Sequence, residues 1–165
     1  MKTVTILLTN DSNLFGRLIS GVSKYHYSHA SISIDADEEI FYSFNMKGFV
    51  IEKPKKRKPK TRQGGSMCIR LQVSEHAYNI IEEEIRQFME KKEEYTYSRV
   101  GVLLCLLHIP HKFQHAYFCS QFVAEVLSRA GAIKLTKKES LYLPGHLIDE
   151  IECLFSCKQF VYHVI

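Results

Sequence analysis

Apolar and polar residues recur along this chain with two different periods, and each period predicts its own kind of element. Thr3-Val-Thr-Ile-Leu-Leu8 is a short, β-branched apolar run, which predicts a buried strand. Asn10-Asp-Ser offers N-caps for a helix over Leu14 to Val22, with Leu14, Leu18, Ile19 and Val22 as its apolar stripe. Tyr27 to Asp35 then alternates with period two: Ala30, Ile32 and Ile34 share one face, and His29, Ser31 and Ser33 the other. Asp35-Ala-Asp-Glu-Glu39 reads as a turn into a second strand over Ile40 to Asn45, so the pair should form a hairpin. Further strands are expected over Gly48 to Ile51 and Met67 to Val73.

From there the period lengthens. Ser74 should cap a helix running to about Glu94, with Ile81, Ile85, Phe88 and Met89 buried. Val100 to Ile109 is apolar all round, and Ser98 as cap together with its leucines favours a buried helix. Phe122, Val123, Val126, Leu127 and Ala130 mark the buried stripe of another helix, which Gly131 should stop. A C-terminal helix is expected after Pro144, on which Cys153 and Cys157 would share a face, and Lys158 to Ile165 could close the sheet as a last strand. The whole pattern predicts one α+β domain over residues 1 to 165.

Composition changes this picture in two places. The net charge is +4, yet seven of the 22 Lys and Arg lie within Lys53 to Arg62, leaving 15 elsewhere against 18 acidic residues. The body is therefore slightly acidic, and the basicity belongs to one proline-interrupted stretch expected as an exposed loop over residues 53 to 66. Nucleic acid is not the expected partner. The five cysteines, at positions 68, 105, 119, 153 and 157, have no framework spacing. Together with an N-terminus that turns polar too early for a secretory signal, and no apolar run of membrane-spanning length, they point to reduced thiols in the cytoplasm.

The candidate chemistry starts at Cys119. A cysteine in the first turn of a helix meets unpaired N–H groups and the positive end of the helix dipole, which favour the thiolate and can hold an oxyanion. His29, on a strand face away from the apolar row, is the candidate base. A short hairpin would place Ser43 or Asn45 opposite it, and either could hold the ring in one tautomer. His108, His111 and His115 flank Pro110, but their spacing fits no known zinc pattern, and no cofactor or metal is expected.

Tyr27-Ser-His-Ala-Ser-Ile-Ser-Ile followed by Tyr117-Phe-Cys-Ser-Gln-Phe-Val-Ala-Glu-Val-Leu resembles the permuted papain-like branch of the NlpC/P60 cysteine hydrolases. That branch includes YiiX/YaeF-like amidases and, more distantly, lecithin–retinol acyltransferases. The resemblance implies a papain-like fold in which His29 precedes its nucleophile Cys119. The third polar residue of the family falls at Ser43, where YiiX-like relatives often have Glu. Tyr27, Asn45, Tyr117 and Ser120 flank the motifs and are the expected substrate contacts. The implied activity is hydrolysis of an amide in a small peptide or amino-acid-bearing substrate. The alternatives are a Cys–His acyltransferase or thioesterase acting on lipid, and a binding module that has lost the chemistry.

Overall fold

A computed structural model describes residues 1–10, 27–54, 66–155 and 163–164. The helix expected over Leu14 to Val22, most of the basic segment, and the Cys153 and Cys157 side chains lie outside the described residues. The architecture is α+β. Six strands form one antiparallel sheet: β1 (Lys2–Thr9), β2 (His29–Ser33), β3 (Phe41–Asn45), β4 (Gly48–Glu52), β5 (Met67–Val73) and β8 (His163–Val164), in the spatial order β4-β3-β2-β1-β5-β8. A two-residue parallel pair, β6 (Thr96–Tyr97) with β7 (Ala116–Tyr117), stands apart from it. The helices are α1 (Glu75–Glu90), α2 (Arg99–Leu106), α3 (Cys119–Arg129) and α4 (His146–Phe155).

Period-two alternation explains the sheet's apolar face. The β1–β2 register pairs Ile6 with Ile32 and Leu8 with Ala30, and the β1–β5 register pairs Val4 with Leu71 and Ile6 with Ile69, so these side chains point to one side. Against them α1 packs Ala77, Ile81, Ile85 and Phe88, and α3 packs Phe122, Val123, Val126 and Leu127. Phe44, Phe49, Phe88, Tyr95, Tyr117 and Phe122 meet at the centre in edge-to-face, tilted and stacked pairs, the closest being Phe88 with Tyr95 at 4.7 Å between ring centroids.

The opposite face is covered as well. Ser31, Ser33 and Ser43 are fully buried there, beside a small cluster of Leu7, Phe41 and Cys68. Two of these hydroxyls turn to backbone: Ser43 Oγ donates to the Ala30 carbonyl at 2.6 Å, and Ser33 Oγ accepts from the Asp35 amide, while Ser31 Oγ has no partner among the described residues. The expected hairpin turn forms around Asp35, whose carboxylate accepts from the amides of Asp37, Glu39 and Ile40. Gly48 opens β4 at φ +95°, and a Cβ there would stand 2.5 Å from the Tyr95 carbonyl oxygen.

Ser74 caps α1 by accepting from the Ala77 amide, and Ser98 caps α2 by accepting from Gly101. α1 ends at Glu90 and a single 3₁₀ turn carries the chain on to Glu94, so the expected helix is shorter than its periodicity suggested. Met89, expected in the core, is exposed at the helix edge. α2 forms where expected, but only Gly101, Val102 and Cys105 are buried. Leu104 and Leu106 are half-buried while Val100 and Leu103 face outward, which corrects the reading of a fully buried helix. Gly131 ends α3 at φ +67°: its amide bonds the Ser128 carbonyl at 3.0 Å and the Ala132 amide the Leu127 carbonyl at 2.9 Å, a Schellman closure.

Candidate functional site

Cys119 is the first residue of α3, and Phe118 precedes it as an N-cap with no side-chain hydrogen bond to the helix. The first intrahelical bond runs from the Phe122 amide to the Phe118 carbonyl at 3.0 Å. The amides of residues 119 to 121 therefore have no acceptor within the helix, and their positive potential collects around the Cys119 sulfur. Two supports hold this turn in place. β7 pairs with β6, with the Ser98 amide bonding the Tyr117 carbonyl at 2.9 Å, and Ser120 Oγ donates to the Tyr142 carbonyl at 2.6 Å.

His29 opens β2, and there its ring meets both Cys119 and Glu52. Nε2 lies 3.0 Å from each carboxylate oxygen of Glu52, the last residue of β4, and the ring lies near enough to Cys119 for the sulfur to raise its pKa. With Nε2 turned to Glu52, Nδ1 is left for the thiol. A carboxylate accepting from Nε2–H fixes the tautomer whose Nδ1 lone pair can take a proton. Burial disfavours the charged ring, but the hydrogen bonds and the negative charge available from Cys119 and Glu52 outweigh it. They hold the His29 pKa well above the ordinary histidine value.

The geometry corrects the expected orienting partner. Ile32 pairs with Tyr42, a register that sets His29 opposite Asn45. Yet Asn45 Oδ1 accepts from the Lys47 amide in the β3–β4 turn, and the Ser43 hydroxyl is spent on Ala30. Neither holds the ring. Glu52 reaches it from two strands away, on the face that Phe41 and Ser43 share. Continuing the alternation one strand further would have put Glu52 on this face, and it is the only carboxylate within β2, β3 and β4.

The other expected contacts are placed differently. Ser120 is fully buried with its hydroxyl bound to Tyr142, and the Tyr117 hydroxyl donates to Glu125 at 3.4 Å, so neither presents its hydroxyl at the thiol. Tyr27 is half-buried against the main core, and burial raises its phenol pKa. Tyr97, which no sequence signal singled out, stands close enough to Cys119 that burial and the sulfur's charge together push its phenol pKa far up.

Burial raises the thiol pKa of Cys68, and pushes that of Cys105 up to about 11. Cys119 differs from both in its histidine contact. A shallow depression of about 450 Å³, lined by Ser128 and residues 131 to 135, lies at the far end of α3 from Cys119 and takes no part in this arrangement. Among the described residues no three His, Cys, Asp or Glu side chains gather as a metal-binding group. No family model matches the chain, and no curated protein matches it.

Proposed function

We propose that this protein is a cysteine hydrolase in which Cys119 is the nucleophile, His29 the base and Glu52 the residue that orients and charges the imidazole. The observation that carries the reading is the single ring of His29 joining a helix-terminal thiol to a carboxylate. Such a chain of groups serves acyl transfer. Nδ1 draws the proton from Sγ, and the thiolate forms a bond to a carbonyl carbon as the π pair moves onto oxygen. Free amides of the α3 first turn are suited to holding that oxyanion. Collapse breaks the bond to the leaving group, which takes the proton from Nδ1. Water then attacks the thioester, Nδ1 accepts its proton, and the acid departs as the thiolate returns.

The order of motifs, histidine strand before cysteine helix, supports a permuted papain-like enzyme. In this reading the carboxylate that YiiX-like relatives often carry at the position of Ser43 is replaced by Glu52 on the next strand. A small peptide or amino-acid-bearing amide is the proposed substrate. The test is incubation with p-nitrophenyl acetate and with aminoacyl p-nitroanilides, followed by mass mapping of the Cys119 peptide. Acylation of Cys119 with continuing product release is expected, and Cys119→Ala and His29→Ala should show neither. Acylation without turnover, or none, would favour a binding module.

A further inference from the structure

Between the 3₁₀ turn Glu139–Leu141 and α4 the chain forms a short strap that holds the seat of Cys119. Tyr142 and Leu143 are buried, and each contacts the start of α3. The Tyr142 carbonyl accepts from Ser120 Oγ at 2.6 Å, and Leu143 packs with Phe118, Val102 and Cys105. Phe118 immediately precedes the thiol. The strap is itself closed by a side chain. His146, the first residue of α4, turns Nδ1 back to accept from the Leu143 amide at 3.3 Å, while its own amide bonds the Leu143 carbonyl at 2.9 Å. It stands where a capping box has Glu or Gln, the residue that reaches back to the amide three positions earlier.

Unlike Gln, an imidazole can lose this acceptor within the physiological range. Protonation at Nδ1 sets two donors face to face, frees the Leu143 amide and places a positive charge at the positive end of α4. The surroundings also disfavour that charge. Burial lowers the His146 pKa, Lys137 and His108 add to the lowering, and the Leu141 carbonyl and Asp149 offset only part of it. Half-buried Glu139 and exposed Lys138 lie at the start of the same strap. Glu150, further along α4, titrates in a lower range: burial would raise its pKa, but bonds from Thr136 and Tyr142 hold it below the ordinary carboxylate value. Because the fold favours the neutral ring of His146, its contribution is present above the ordinary value of 6.5 and is lost as pH falls through the lowered folded value. The sign is opposite to that of His29, whose contribution is lost as pH rises.

We propose that His146 is a pH-sensitive latch, whose protonation below neutral pH releases the strap of Tyr142 and Leu143 and with it the support of the Cys119 turn. The latch is a property of the fold whether or not Cys119 is a nucleophile, and only its bearing on catalysis rests on that reading. It is tested by amide hydrogen exchange of the full chain at pH about 7.5 and about 5, corrected for intrinsic exchange, in wild type and His146→Gln. Glutamine keeps an acceptor for the Leu143 amide and does not titrate. In wild type, protection of the Leu143 amide, and of the Phe122 amide that closes the first turn of α3, should fall at least ~5-fold at the lower pH relative to the core amides of β1. In His146→Gln both should change by less than ~2-fold. Equal loss in the two proteins, or none in wild type, overturns the latch, and loss at Leu143 with Phe122 unchanged overturns its link to Cys119. If His146→Gln does not fold, as thermal melting will show, NMR titration of the wild type decides. The Leu143 amide signal should then move with the midpoint of the His146 ring, and an amide that follows His108 or a carboxylate instead overturns the proposal.

Discussion

Glu52→Gln isolates one charge at the centre of the site. Glutamine keeps an oxygen that can accept from Nε2–H of His29 but removes the negative charge that favours imidazolium. The two side chains are 14 and 28 % exposed, so solvent screens the pair only in part. A hydrogen bond to a charged group contributes about 1.5–3 kcal/mol when well buried, and partial exposure brings the expectation to about 1–2 kcal/mol. For a chain of this size that is a fall in melting temperature of roughly 2–8 °C. Because the fold raises the His29 pKa, this contribution is fully present below the unfolded-state value of about 6.5 and is lost as pH rises through the folded value. The stability gap between wild type and Glu52→Gln should therefore be widest at mildly acidic pH and close toward alkaline pH. The direct assay is titration of the histidine ring signals by ¹⁵N-edited NMR. The His29 midpoint should drop in Glu52→Gln and stay put in Ser43→Ala and Asn45→Ala. If Ser43→Ala moves it as far as Glu52→Gln does, the assignment of the carboxylate as partner fails.

Other outcomes follow from named contacts. Glu125 is buried on α3, with Arg129 at 2.6 Å and Lys112 at 2.7 Å on one carboxylate oxygen while the other oxygen has no partner. Lys112→Met with Arg129→Met strands that charge and should cost about 3–5 kcal/mol in urea unfolding, whereas Glu125→Met, whose cations can turn to solvent, should cost less than half as much. Gly48→Ala faces both a positive φ and a backbone carbonyl that cannot move aside, and should cost at least about 2 kcal/mol by the same measurement. Cys68 and Cys105, whose thiol pKa burial raises, should resist partial alkylation in the folded state and label fully only after denaturation.

Much of the fold is written in hydrophobic period. β1, β2, β5 and α3 carry apolar positions that fit only one element type, and Ser74, Ser98 and Gly131 mark helix ends with their own backbone chemistry. Longer-range facts are not local. Val100, Leu103 and Leu107 read as core because the sequence shows that they are apolar, not which side of α2 finds a neighbour. β6 and β7 are too short for any period and exist because the Tyr117 carbonyl meets the Ser98 amide. At the site, Cys119 and His29 were legible from helix position and strand face. The partner was not, because pairing rules name the residue directly opposite, while a glutamate is long enough to act from two strands away.

The most direct test of the account is competition among the described thiols. Folded protein is treated with limiting iodoacetamide at neutral pH, the reaction is quenched at intervals, and the cysteine peptides are quantified by mass spectrometry. The account predicts that Cys119 labels before every other cysteine and that His29→Ala slows this labelling at least tenfold. Equal labelling of Cys119 in wild type and His29→Ala, or earlier labelling of Cys68 or Cys105, would contradict it.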